Sequence, residues 1–267
     1  MHRQPLRINV VTIFPDFFAG PLGLSIPARA AGVGSVSYNV VDLRAYTHDR
    51  HRTVDDYPFG GGPGMVMKPA PFFEAIESIG AKAPIVMLTP RGRKFVHADA
   101  VRFSEGSELT LLCGHYKDVD ERVAQHLATE ELSLGDFVLS GGEPAALAII
   151  DATVRLLPGA MSDLDSARTD SFYDRGISAP SYSRPADYRG FTVPEVLVGG
   201  DHAKVAAWKE AESLRRTRDV EARDRAEWVE RERVIAAREA AIADVERVLA
   251  EKAAKKARRK GRGKGAR

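Results

Sequence analysis

The residues between Thr47 and Lys68, THDRHRTVDDYPFGGGPGMVMK, combine types that could bind and read a charged ligand. Three aspartates, two histidines and two arginines stand beside the run Gly-Gly-Gly-Pro-Gly, with no helix or strand periodicity. Glycine loses much backbone entropy on folding, so such a loop is usually ordered for close backbone approach to a ligand. We favour that interpretation over a flexible surface loop, because charges of both signs flank two imidazoles.

Two further glycine-bearing loops could read a purine through their backbone. In LSLGDFVLSGGEPAA, residues 132–146, glycines allow tight turns at both ends of a short apolar run. GHYKDVDER, residues 114–122, follows another apolar run, and TPRG occupies residues 89–92. Backbone N–H and C=O groups left free in such loops can bond to a base edge. Together the three segments predict an adenosine pocket.

Several common chemistries are not supported by the sequence. The glycine run lacks the Gly-Lys-Ser/Thr ending of a P-loop, no Gly-x-Gly-x-x-Gly follows the first predicted strand, and Gly-x-Ser-x-Gly is absent. The single cysteine, Cys113, ends an apolar run and is expected to be a buried structural thiol. His48 and His51 lack a metal-binding spacing, and we expect them to bond to backbone or RNA.

The elements that must position these loops alternate between strands and helices. Short apolar runs predict strands at 7–14, 36–43, 84–89, 109–113 and, less clearly, 137–140. Amphipathic segments between and after them predict helices at 71–79, 98–104, 119–128 and 143–157. Alternation of this kind predicts an α/β fold with a parallel sheet, in which ligands bind at the carboxyl ends of strands.

The second part of the chain changes character. Residues 159–193 are rich in Ser, Asp, Pro and Gly, which predicts a linker or a functional segment. Asp201 can cap a helix over 202–216, and opposite charges four residues apart predict a solvated helix over 219–251. Residues 252–267 carry nine Lys or Arg and no acid, which predicts a disordered tail with affinity for nucleic acid or a solubilising terminus.

The composition and the apolar runs of the sequence indicate in which cellular compartment the protein is expected. The 267 residues have a net charge of +2, although the first 251 carry 30 basic against 37 acidic side chains. No apolar run reaches membrane-spanning length, and the amino-terminal residues lack the features of a signal peptide. We therefore expect a cytoplasmic protein with no membrane partner.

Four motifs resemble one enzyme family. THDRHRTVDDYPFGGGPGMVMK, CGHYKDVDERV, LGDFVLSGGE, and TDSF followed by PSYSRP occur in the order found in bacterial tRNA (guanine-N1)-methyltransferases of the SPOUT class, and the similarity runs over residues 7–218. The resemblance implies a parallel sheet with a deep trefoil knot and a small carboxyl-terminal α-helical domain. It also implies methyl transfer from S-adenosylmethionine to N1 of guanosine 37 of tRNA, in a homodimer with active sites at the subunit interface.

The resemblance assigns domains and residues. Residues 1–160 would form the knotted cofactor-binding domain, 161–193 a linker flexible without tRNA, 194–251 a helical tRNA-binding domain, and 252–267 the tail. Asp170 matches the general base and Arg155 its partner, which stabilises charge on guanine O6. Asp55, Pro63 and Gly64 would meet the guanosine. The cofactor would be held by Met87, Leu88, Thr89, Pro90, Gly114, Tyr116, Ser133, Leu134, Gly135, Asp136, Phe137, Val138, Leu139, Gly141, Gly142 and Pro144. No resident metal is expected, and a requirement for Mg²⁺ is left open.

The sequence departs from the family pattern at the edges of this pocket. Lys117 and Asp118 stand where Glu-Gly is usual, Met87 replaces a common Tyr, and Pro144-Ala-Ala replaces Leu-Pro-Ala. These changes concern affinity and pocket shape more than reaction type.

Two other functions are alternatives. A knotted methyltransferase acting on ribose 2′-OH has no evident need for an acid such as Asp170. A non-catalytic RNA-binding protein would use the tail and the 47–68 loop but would not bind S-adenosylmethionine.

Overall fold

The chain has two compact units. The computed structural model describes residues 4–161, 170–173 and 176–262, and these divide between residues 1–174 and residues 175–267. Asp170, Ser171 and Phe172 of the TDSF motif are among the described residues, whereas Thr169 lies outside them. No helix among the described residues combines the length and apolar character needed to cross a lipid bilayer.

The described residues of the first unit form eight strands and six α-helices. The strands are β1 (Leu6–Thr12), β2 (Val36–Asp42), β3 (Asp55–Asp56), β4 (Val66–Met67), β5 (Ile85–Lys94), β6 (Glu108–Cys113), β7 (Asp118–Val119) and β8 (Glu130–Ser133). The helices are α1 (Ala19–Leu22), α2 (Ser25–Gly32), α3 (Pro69–Ile79), α4 (His97–Glu105), α5 (Glu121–His126) and α6 (Glu143–Val154), with 3₁₀ turns at Pro15–Phe18 and Leu43–Tyr46.

Five strands form one parallel sheet in the order β2-β1-β6-β5-β8. Alternate residues of β1 enter different cores, with Ile8 and Val10 on one face and Val11 on the other. The first face is covered by α2, α4 and α6, and the second by α3 and α5. Burial on both faces explains why the central strands are almost continuously apolar. The predicted α/β class with a parallel sheet is confirmed.

A loop interrupts β5 beside the edge strand β8. Leu88 and Arg93 both register with Leu132, so the four residues from Thr89 to Gly92 leave the ladder. A Cβ added to Gly92 would lie 2.5 Å from the backbone of Glu131 and Leu132. Only glycine permits this approach of two backbones.

The prediction of a strand at 137–140 is wrong. The last strand of the sheet is β8, and residues 137–140 form no strand and are exposed. β8 occupies the sheet edge and begins with two glutamates that are only half-buried, so it lacks the continuous apolar run of a central strand.

The second unit is helical with one hairpin. It contains β9 (Asp187–Tyr188) paired antiparallel with β10 (Phe191–Thr192), then α7 (Glu195–Val198) and α8 (His202–Arg262). Asp201 Oδ1 accepts hydrogen bonds from the N–H groups of Ala203 at 3.1 Å and Lys204 at 3.2 Å, which confirms the predicted cap. The two helices predicted from the sequence form a single helix.

The helical backbone of α8 also enters the segment predicted as a disordered tail. It continues to Arg262, whereas the sequence places the start of the tail at Lys252. Alanine, lysine and arginine all favour helix, so lack of a packable core does not imply lack of helix.

Candidate active site

A cavity opens at the carboxyl edge of β5, β6 and β8, where the three predicted pocket loops meet. It encloses about 710 Å³ including its open mouth, a size typical of cofactor sites. Its lining consists of Met87, Leu88, Thr89, Pro90, Gly114, His115, Tyr116, Lys117, Asp118, Val119, Leu132, Ser133, Leu134, Phe137, Val138, Leu139, Ser140, Gly141, Gly142 and Ala145.

Backbone contacts join two of these loops. The Gly142 N–H donates to the Gly114 carbonyl at 2.9 Å, and His115 and Gly141 form an antiparallel bridge. A Cβ on Gly142 would lie 2.7 Å from Cys113 Cα, so the α6 amino terminus can approach β6 only with glycine there. Tyr116 has a left-handed backbone (φ 61°), a strained conformation for an aromatic residue that is common at binding sites.

Apolar side chains of the third loop are exposed toward the cavity. Phe137, Val138 and Leu139 line it, and 55%, 81% and 38% of their surfaces are accessible. The preceding turn is fixed by Ser133, whose Oγ donates to the Gly135 carbonyl at 2.9 Å. An apolar wall presented by ordered backbone is suited to a flat heterocycle.

Most residues that the resemblance assigns to the cofactor line this cavity, with three exceptions. Asp136 is bound by Lys94 Nζ at 2.9 Å, Pro144 is exposed in the first turn of α6, and Gly135 lies in the turn behind the wall. The remaining lining residues lie in the predicted pocket segments 114–122 and 132–146 but were not assigned to the cofactor one by one: His115, Lys117, Asp118, Val119, Leu132, Ser140 and Ala145. Proximity along the chain to assigned residues would have identified them.

Behind the cavity wall lies a buried polar pair. Glu143 accepts a hydrogen bond from Thr12 Oγ1 at 2.6 Å, and both residues are buried.

Complete burial raises the pKa of the Cys113 thiol well above its usual range, and the Glu143 carboxylate adds to the effect. A neutral buried thiol is a poor nucleophile, and the prediction that Cys113 is buried is confirmed.

The glycine-rich loop adjoins the cavity rim. β4 pairs with both β3 and β7, which ties the loop to the 114–119 segment. Gly64 has φ 91°, and a Cβ there would lie 3.0 Å from Lys117 Cβ. Pro63 lies in the same loop, and Asp55 pairs with Met67 in the β3–β4 ladder. The three residues assigned to the guanosine therefore lie on an element joined to the cofactor cavity.

Two aromatic residues of this loop were missed by the sequence interpretation. Tyr57 is 80% exposed and Phe59 fully exposed. Large aromatic side chains without a packed face can stack on unpaired bases. Their position on either side of Pro58, within a loop already assigned to a ligand, was the signal in the sequence.

Of the two histidines in the loop, His48 contacts a protein side chain through its imidazole, and His51 bonds through its backbone N–H. His48 Nε2 lies 2.8 Å from Glu74 Oε2. Asp49 accepts hydrogen bonds from the Thr53 side chain and backbone and from the His51 N–H, and these bonds lower its pKa. Among the described residues, no cluster of three or more His, Cys, Asp or Glu side chains could hold a metal ion.

The assigned catalytic pair is formed in the structure. Arg155, which follows α6, donates through Nη2 to Asp170 Oδ2 at 2.6 Å. The Asp170 side chain is 44% exposed and that of Arg155 28%. Neither residue belongs to the lining of the cavity in its own chain.

A parallel sheet with a backbone-lined cavity at the carboxyl edge is typical of α/β proteins that bind a nucleotide-like cofactor. Residues 6–225 match the family model described as tRNA (Guanine-1)-methyltransferase TrmD. The chain therefore belongs to this family and is a methyltransferase, as the resemblance implies.

Curated relatives are similar over nearly their whole length. The tRNA (guanine-N(1)-)-methyltransferase of Gloeobacter violaceus is 50% identical over 220 residues, which are 80% of this chain and 96% of the relative. Those of Bacillus subtilis and Listeria innocua are 45% and 42% identical over 79% of this chain and 89% of each relative.

Proposed function

We propose that the protein transfers a methyl group from S-adenosylmethionine to N1 of guanosine 37 in tRNA, immediately 3′ to the anticodon. The observation that carries the proposal is the cavity at the carboxyl edge, built from the motifs that mark the family and joined to the glycine-rich loop. Cofactor and RNA would thus meet on connected elements.

The residues of the cavity fit an adenosine-containing donor. Its apolar wall, formed by Leu134 and by Phe137 to Leu139, offers faces for adenine, and the loops at Gly114 and Gly141 present backbone. When bound, S-adenosylmethionine supplies an activated methyl group on a sulfonium. The chain then needs no covalent nucleophile, in agreement with the inert Cys113.

Asp170 and Arg155 would act on the guanine. N1 carries a proton at neutral pH, and a carboxylate within hydrogen-bond reach can remove it as general base. The negative charge that develops on O6 would be stabilised by the guanidinium. Their ion pair in the structure holds both groups together, with Asp170 accessible to a substrate.

A second subunit would complete the site. Because Arg155 and Asp170 lie outside the cavity lining of their own chain, we infer that they face the cavity of the partner in a homodimer. We further infer that the loop from Thr89 to Gly92 encloses the chain that follows β8 in a trefoil knot. The close approach of Gly92 to the β8 backbone supports this inference.

The RNA would be bound by several parts of the chain. Asp55, Pro63 and Gly64 would meet the guanosine, and Tyr57 and Phe59 could stack on neighbouring bases. Residues 161–193 would act as a linker that orders over the RNA, residues 194–251 as a tRNA-binding domain, and the basic tail as an electrostatic addition. We place this activity in the cytoplasm.

The test is transfer of labelled methyl to a tRNA transcript with guanosine 37, beside a matched transcript with adenosine 37. We expect incorporation only into the guanosine transcript, recovered as N1-methylguanosine. Recovery as a ribose methyl would favour the 2′-OH alternative, and tRNA binding without cofactor binding would favour a non-catalytic RNA-binding protein. The same assay run with Mg²⁺ and with EDTA decides whether the ion is required for methyl transfer.

A further inference from the structure

The turn that carries Asp170 exposes a large aromatic ring. Phe172 lies two residues after Asp170, and 56% of its surface is accessible. It is the third residue of the turn at 170–173, which is closed by the Tyr173 N–H donating to the Asp170 carbonyl at 3.4 Å. A single exposed apolar side chain is common on protein surfaces, so the backbone of this residue is the more informative observation.

The backbone of Phe172 has an unfavourable conformation. Its φ is 72°, in the left-handed region where a Cβ crowds the neighbouring carbonyl oxygen. Turns that need a positive φ at their third residue usually have Gly or Asn there. A bulky aromatic residue in this region is an outlier, and such outliers cluster at sites that bind ligands. Neither the packing nor the backbone of this turn favours Phe172, so we look for the reason in a ligand.

Contacts at both ends hold the turn in place. Arg155 Nη2 donates to Asp170 Oδ2 at 2.6 Å. At the other end, the Tyr173 ring packs against the imidazole of His97, with 5.7 Å between the ring centroids, and His97 is the first residue of α4. The turn is therefore attached next to the end of α6 and at the start of α4, and Phe172 lies between these two attachments.

The neighbours of the ring limit what it can bind. Asp170 and Arg155 would contact the guanine along the edge that carries N1 and O6, which leaves both faces of the base uncovered. A base that leaves its stack loses its stacking partners, at a cost of a few kcal/mol, and aromatic side chains can replace them. Adenine of the cofactor has an apolar wall of its own in the cavity. The ligand that the proposed chemistry brings next to Phe172 is the target guanine.

We propose that Phe172 stacks on one face of guanine 37 after that base has left the stack of the anticodon loop. The proposal rests on the function proposed above, because it takes Asp170 as the group that meets N1.

The test compares the affinity for tRNA with and without the base at position 37. Phe172→Ala removes the ring and keeps the Cβ. In the presence of S-adenosylhomocysteine, which has no methyl group to transfer, this substitution should weaken binding of the guanosine 37 transcript by about 5- to 100-fold, the range expected for one base–aromatic contact. Binding of a transcript that is abasic at position 37 should be unchanged, since it has no base on which the ring can stack.

Three further variants separate stacking from a change in the turn. Phe172→Tyr keeps the ring and should bind both transcripts as the unsubstituted protein does. Phe17→Ala removes another exposed ring of the first unit, outside the cavity lining, and should also bind normally. In an Asp170→Asn background, Phe172→Ala should cause the same fold loss for the guanosine transcript, because the ring acts on the base and not through Asp170.

Several outcomes would overturn the stacking role. Equal losses with both transcripts would place the ring on another part of the RNA, and no loss with either would remove it from the RNA altogether. Weaker binding of S-adenosylmethionine to Phe172→Ala in the absence of tRNA would assign the ring to the cofactor. Failure of the proposed function is recognised separately, because the unsubstituted protein would then form no N1-methylguanosine from the guanosine 37 transcript.

Discussion

At the scale of single residues, Asp170 provides the most direct test of the chemistry. Asp170→Asn keeps the size of the side chain but removes the base, so kcat should fall by about 10²–10⁴-fold. Binding of S-adenosylmethionine, measured by calorimetry, should be retained, because the cavity loops supply the contacts to the cofactor and the substitution keeps the size of the side chain. Asp16→Asn, an exposed acid in the same unit, is the control. Unchanged kcat in Asp170→Asn would remove the proposed base.

Phe59 tests the contribution of the loop aromatics. The side chain is fully exposed, so Phe59→Ala should leave the melting temperature unchanged. If the ring stacks on a base, tRNA affinity should fall by about 1–3 kcal/mol, measured by filter binding. Val33→Ala, an exposed apolar residue outside the site, should bind normally. Equal affinities for both variants would contradict a stacking role.

At the scale of elements, Asp99 ties β5, α4 and β8 together. Its carboxylate accepts two 2.7 Å hydrogen bonds from Arg93 and one of 3.0 Å from the Val96 N–H, and Arg93 also reaches Glu130 at 2.9 Å. Burial alone would raise the pKa of Asp99, but the bonds from Arg93, Val96 and Arg102 outweigh it and lower that pKa to about 2.

The pH dependence of stability should reveal this carboxylate. A carboxylate whose pKa is lowered by folding stabilises the folded state at pH values above its unfolded pKa of about 3.9. This stabilisation is lost as the pH falls toward 2. Asp99→Asn should reduce the free energy of unfolding at pH 7 by roughly 1–2 kcal/mol, measured by urea titration. The difference from the unsubstituted protein should shrink below about pH 4. A difference constant with pH would show that the charge is not the cause.

The elements also show which parts of the fold could be read from the sequence. Apolar runs identified the central strands because burial on both faces leaves few polar residues. The same rule failed at Phe137–Leu139, where apolar side chains line a cavity instead of entering a sheet. It also missed β8, whose edge position tolerates Glu130 and Glu131. The contact between Arg155 and Asp170 joins residues fifteen apart in the sequence, which no periodicity can predict.

At the scale of the whole molecule, charge is distributed unevenly. Deleting residues 252–267 would change the net charge from +2 to −7. The deletion should weaken tRNA binding and make it less salt-dependent, because fewer counterions are released from the RNA. With tRNA saturating, kcat should be unchanged. Binding measured between 50 and about 200 mM salt tests this, and identical salt slopes would assign the tail no role in RNA binding.

The rate at which the single thiol, Cys113, reacts with a labelling reagent reports how often one edge of the sheet opens. It lies at the end of β6, completely buried, where Gly142 closes over it. A thiol reagent can reach it only when this edge of the sheet opens, so the labelling rate measures that opening. A ligand that binds only the closed form should slow labelling by a factor that grows with its concentration over Kd. The labelling rate would thus measure the occupancy of the cavity in the unsubstituted protein, without tRNA and without turnover.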